Sequence, residues 1–101
     1  MKHYLYCSSG NAMGIGEYIG LFEIGEDGFC VRYLEFHAGG SALRYTEEHA
    51  ADQHGVLPER SWHEHEGELA KAEYGSLNLI SPALFQATWN NTHCLNDAND
   101  H

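Results

Sequence analysis

Apolar and polar positions alternate most regularly between Tyr18 and Thr46, and this stretch reads as three strands joined by two tight turns. Asp27-Gly28 separates the first two apolar runs, and the pair tolerates the positive φ angles of a two-residue hairpin. That turn predicts Ile24 opposite Val31, Glu23 opposite Arg32, Phe22 opposite Tyr33, Leu21 opposite Leu34 and Ile19 opposite Phe36. Each pair matches apolar partners or opposite charges, so side-chain chemistry supports the register independently of the turn. Gly39-Gly40, taken as a second two-residue turn, sets Phe36 against Leu43, Glu35 against Arg44 and Leu34 against Tyr45. The two hairpins together predict one face carrying Ile19, Leu21, Leu34, Phe36, Leu43 and Tyr45, and another carrying Phe22, Ile24, Val31 and Tyr33.

The flanking segments complete the pattern. His3 to Cys7 reads as a short first strand, followed by a polar, glycine-bearing loop from Ser8 to Gly16. The polar stretch from Glu47 to Arg60 has no clear period and reads as loop, with a short strand near Val56. Ser61 and Glu64 have the spacing of a capping box and predict a helix from Trp62 to Ala72, although Gly67 inside it costs about 1 kcal/mol relative to Ala. Ser76 to Ile80 reads as an edge strand. Ser81, Pro82 and the spacing of Leu84, Phe85, Thr88 and Trp89 predict a second helix that lays Phe85 and Trp89 on the apolar sheet face and ends at Asn90-Asn91. The expectation is one α+β domain over residues 1–101: an antiparallel β-meander of about four strands with the C-terminal helix packed on one face. The polar tail from about His93 is expected to fray.

A chain of 101 residues with 43% hydrophobic content can bury a core without metals or disulfides. Its three cysteines, Cys7, Cys30 and Cys94, are odd in number and lack Cys-x-x-Cys spacing, which suggests neither a disulfide framework nor a zinc ribbon. With no signal-like segment and no apolar run of ~18 residues, the chain reads as soluble and cytoplasmic, away from membranes. Charge changes the picture most. Fifteen Asp and Glu against five Lys and Arg give a formal charge of -10, which excludes a phosphate backbone as a natural partner and favours a basic protein.

Catalytic chemistry has little support in these residues. His63 and His65 alternate with Glu64 and Glu66, but the His-Glu-x-x-His pattern of a helical zinc site is absent. His37, His49 and His54 could be oriented by Glu35 or Glu48, without any spacing that enforces it. No Ser or Cys lies in a nucleophile elbow, and Gly14 to Gly16 lacks a phosphate-binding pattern. The expectation is therefore a chain that is not an enzyme and holds no cofactor or metal. From Glu47 to Glu73, by contrast, eight carboxylates face only Arg60 and Lys71, a formal -6 in the least regular part of the chain. The expected partner contacts are Glu47, Glu48, Asp52, Glu59, Glu64, Glu66 and Glu68, with Trp62 as an aromatic anchor among them.

Asp27-Gly28, Val31-Arg32, Leu34-Glu35-Phe36, Gly40 and Arg44-Tyr45, followed by Ile80-Ser81, Phe85 and Trp89, resemble a family of small bacterial domains similar to the immunity proteins of contact-dependent and polymorphic toxin systems. The resemblance spans residues 18 to 89 and rests on turn, ladder and core positions; the glycine-rich opening and histidine-rich middle depart from it. It carries over no functional residue. It implies a binder that neutralises a cognate toxin, commonly a basic nuclease, by blocking its active site or substrate cleft. Two other readings compete: a small metal-binding protein or hydrolase using His63 and His65, and a phage-type acidic mimic of nucleic acid.

Overall fold

The computed structural model describes residues 1–10, 13 and 16–97. Strands β1 (Lys2–Ser8), β2 (Tyr18–Ile24), β3 (Cys30–His37), β4 (Ala42–Thr46) and β5 (Gly75–Ile80) form one antiparallel sheet in the order β4-β3-β2-β1-β5. Helix α1 (Trp62–Ala70) covers one face and α2 (Pro82–Asn91) the other. The fold is α+β, and β5, expected as an edge strand, makes the meander of four into a sheet of five.

Both hairpin loops are one residue longer than expected. Gly25 and Phe29 close a three-residue loop, residues 26–28, through Gly25 N–H to Phe29 O at 2.9 Å and Gly28 N–H to Gly25 O at 3.0 Å, with Gly28 at φ 85°. Left uncorrected, that residue would slip every pair in the hairpin. Instead β3 carries a bulge: Ile24 pairs with Cys30, Glu23 with Arg32, and Val31 has no direct opposite. The expected pairs from Glu23–Arg32 to Ile19–Phe36 therefore stand, while Ile24–Val31 does not.

The second loop repeats the geometry without the compensation. His37 N–H reaches Ser41 O at 2.9 Å around residues 38–40, with Gly40 at φ 92°, and no bulge follows. Phe36 thus faces Ala42, Glu35 faces Leu43, Leu34 faces Arg44 and Tyr33 faces Tyr45. This corrects the expected β3–β4 register, and the one-residue slip carries Leu43 and Tyr45 to the opposite face.

The corrected faces make two cores. Under α1 lie Tyr6, Phe22, Ile24, Cys30, Tyr33, Leu43 and Tyr45, joined by Leu57 from the loop and by Trp62 and Leu69 from the helix. Under α2 lie Leu21, Leu34 and Ala42 with Phe85 and Cys94, flanked by Leu5, Phe36, Ile80 and Trp89. Phe85 is fully buried, as its helical spacing predicts. The Ser81 side chain caps α2 by accepting from Leu84 N–H at 3.1 Å. At α1 the expected capping box does not form: Ser61 makes no side-chain cap bond, and the helix ends at Ala70. The first turn of α1 is tied to the β2–β3 loop instead, through Trp62 N–H to Gly28 O at 2.7 Å.

Of the loop from Glu47 to Arg60, only a bridge between Ala51 and Val56 is strand-like, close to the expected position. The segment after α2, for which fraying is expected, is tied to β4 as far as Asp97. Leu95 N–H donates to Ala42 O at 2.8 Å, and the Asn96 amide both accepts from Arg44 N–H and donates to Arg44 O. Residues 98–101 and most of Gly14 to Gly16 lie outside the described residues. Among the described residues no helix is long and apolar enough to cross a membrane.

Candidate functional site

The antiparallel order brings the start of β1, the β2–β3 loop, the end of β4 and the start of α1 to one end of the sheet. Two adjoining grooves open there, and Met1, 69% exposed, lines both. One is bounded by Glu47, Glu48, Thr46, Val31 and Arg32; the other by Glu26, Glu66, His63, Tyr4 and Lys2. Phe29, 45% exposed, projects from the adjacent loop. Local sequence explains each placement: Glu26 lies in a turn that excludes apolar residues, Glu47 and Glu48 follow the last ladder pair of β4, and Glu66 rides on α1.

The cations do not neutralise this end. All three arginines are engaged in ion pairs: Arg32 with Glu23 at 2.6 Å, Arg44 with Asp97 at 2.6 Å and Arg60 with Glu68. Arg32 lies at the rim of one groove but is turned onto the α2 face. It spans the Glu23 carboxylate with two hydrogen bonds and stacks 4.9 Å from both the Phe85 and Trp89 rings. Glu23 also pairs with His3 at 2.9 Å, and the Arg32 hydrogen bonds hold its carboxyl below the usual range against the opposing effect of burial. Glu26, Glu47, Glu48, Glu59, Glu64 and Glu66 make no ion pair among the described residues, and Lys2 is the one Lys or Arg lining these grooves with no ion pair among them.

The expected contact residues divide accordingly. Glu47, Glu48 and Glu66 line the grooves at this end, while Glu64 is exposed in the first turn of α1 and Glu59 on the approach to it. Trp62 is not a surface anchor: it is 7% exposed, wedged 4.7 Å from the Tyr4 ring and 5.0 Å from Phe22. Its position at the first turn of α1, facing the sheet, makes it core. Glu68 is committed to Arg60, whose guanidinium holds its carboxyl low.

Asp52 also turns inward. It accepts from Tyr45 Oη at 2.9 Å, His49 Nε2 at 2.9 Å, Asn96 Nδ2 at 2.8 Å and the His54 and Gly55 amides. Burial would raise its pKa, but these bonds from Asn96, His49, His54 and Tyr45 outweigh burial and hold the carboxyl well below the usual range. It organises the loop rather than presenting a charge. Glu26 and Phe29 were not expected at this surface, because only the Trp62–Gly28 hydrogen bond brings the turn beside α1; the exposed acid of the turn is the one sequence signal for them.

Among the described residues the histidines assemble no metal site. His65 packs edge-on against Phe22 and Trp62, and burial lowers its pKa, whereas His63 is exposed at the groove. Among the described residues no three His, Cys, Asp or Glu side chains are placed to hold a metal ion. His37 does meet Glu35 at 2.6 Å, and His49 meets Asp52 rather than Glu48. Comparison with protein-family models, with curated proteins and with solved structures gave no match to this chain.

Proposed function

We propose that this chain is a non-enzymatic inhibitor whose acidic sheet end occupies a basic surface of a partner protein, as an immunity protein occupies the nucleic-acid cleft of a cognate nuclease toxin. The observation that carries this reading is the segregation of charge. The arginines are spent on Glu23, Asp97 and Glu68, while Glu26, Glu47, Glu48 and Glu66 line the two grooves that meet at exposed Met1, where Lys2 is the one lining Lys or Arg without an ion pair among the described residues. Exposed carboxylates keep their hydration until a cation replaces it, so they steer encounter and select for basic partners. Met1 supplies exposed apolar area where the grooves meet, and Phe29 adds more on the β2–β3 connection, so that a few desolvated side chains can hold a complex together.

The test is co-expression with the product of the neighbouring upstream gene. The two proteins should elute together, and the neighbour alone should be toxic. In the purified complex, Glu47→Lys/Glu48→Lys should slow association at least ~10-fold at low salt, with the difference fading near ~0.5 M salt as screening shortens the field. A neighbour that neither binds nor kills would remove the reading, and so would an association rate indifferent to salt and to these charges.

A further inference from the structure

The two edges of the sheet are treated differently. The β4 edge is covered by the chain itself, because residues 95 and 96 take up Ala42 O, Arg44 N–H and Arg44 O. Among the described residues nothing comparable covers β5. Ser9 N–H donates to Tyr74 O at 2.9 Å, and this bond, continuing the β1–β5 ladder, sets its phase. Ser76, Asn78 and Ile80 turn their amides and carbonyls to β1, so those of Gly75, Leu77 and Leu79 point away. Gly75 N–H is taken by Ala72 O, but Leu77 and Leu79 present both their backbone groups with no partner among the described residues.

Edge strands are normally blunted by Lys, Pro, a bulge or a covering loop. The sequence of β5, Gly-Ser-Leu-Asn-Leu-Ile, holds neither Lys nor Pro nor any charge, and its ladder to β1 is unbroken. Leu79 is 67% exposed beside the open edge. Between α1 and β5 a groove of about 620 Å³ opens, lined by Leu69, Leu77, Glu66 and Gly67. Among the described residues, beyond the helix's own backbone and the chain neighbours, nothing lies within 4 Å of where a Gly67 Cβ would stand, so packing against other elements does not require the glycine that weakens this helix.

We propose that β5 pairs with β5 of a second copy of this chain, antiparallel about a two-fold axis through Asn78, to give a continuous ten-stranded sheet. The strand complements itself in that register. Leu77 exchanges both backbone hydrogen bonds with Leu79 of the second copy, and Leu79 with its Leu77. All four leucine side chains fall on the α1 face, where the incoming Leu79 lies beside Leu77 at the mouth of the groove left open by Gly67. The two Asn78 side chains meet on the other face, and no carboxylate of either strand faces another. The formal charge of -10 on each copy opposes association only at long range, where salt screens it.

That opposition makes the test directional. Sedimentation of the full chain should show a monomer–dimer equilibrium that strengthens from ~0.05 to ~0.5 M salt, the opposite of binding to a basic partner. Leu79→Pro, which removes an outward N–H without touching the β1 ladder, and Leu79→Lys should both be monomeric with unchanged circular dichroism. Asn78→Cys should give a reducible cross-linked dimer on oxidation, because facing non-hydrogen-bonded residues bring their Cα atoms to about 4.5 Å. Monomer at every salt concentration overturns the proposal. So does a dimer that survives both Leu79 variants, or one that weakens as salt is added.

Discussion

Arg32 ties β2, β3 and α2 together: it closes a bidentate bond on Glu23, reaches Gln86 at 3.0 Å and stacks on two rings of α2. Arg32→Met should cost about 3 kcal/mol in urea unfolding at pH 7, since it leaves a buried carboxylate without its cation. Glu23→Gln in the same chain should recover part of that loss. Glu23 ionises below its ordinary 4.5, so its contribution is complete above that pH and disappears as pH falls through the folded value. His65 acts at a higher pH with the same sign. Burial favours its neutral form, so protonation of the unfolded chain below about its ordinary 6.5 draws stability away. His65→Phe, which keeps an aromatic ring beside Phe22 and Trp62, should flatten the fall in Tm between pH 7 and 5.5 relative to the native chain. Trp62→Ala should cost about 3 to 5 kcal/mol by the same unfolding measurement, as expected of a core ring and not of a surface anchor.

Among the elements, α1 and β5 each carry a glycine, and only that of β5 is required by packing. Gly67 has open space around its missing Cβ, so Gly67→Ala should stabilise the monomer by about 1 kcal/mol, measured at low protein concentration. At Gly75 a Cβ would collide with the Tyr6 hydroxyl, and Gly75→Ala should lower Tm by forcing the ring or the strand to move. The hairpins show what local pattern conveys and what it omits. Glu23–Arg32 and Phe22–Tyr33 are readable because charge and apolar matching select the register whatever the loop length. Glu35–Arg44 satisfies the same rule yet does not form, because a three-residue loop without a bulge moves Arg44 opposite Leu34. There Arg44 reaches Asp97 and lies 4.8 Å from the Trp89 ring, interactions with residues far along the chain. The α2 helix was legible in full from its cap, proline and spacing, whereas the capping box of α1 was a spacing without its bonds.

At the scale of the whole molecule the net charge governs association more than folding. Its two consequences carry opposite salt dependence, binding of a basic partner weakening and pairing of two copies strengthening, so one salt series distinguishes them. The sequence alone determined the fold class, the two outer helices, the β2–β3 pairs from Glu23–Arg32 to Ile19–Phe36 and the acidity, because each arises from local periodicity, cap chemistry, cross-strand matching or simple counting. Tertiary structure alone decided which carboxylates share a surface. It drew Asp52 inward with Tyr45 and Asn96, committed Glu68 to Arg60, buried Trp62 and set Glu26 beside Glu66. It also tied residues 94–97 to β4 and left β5 as the open edge. The physical reason is common to all of these: each depends on groups distant in sequence satisfying hydrogen bonds, charge or volume together, and no local window contains both partners.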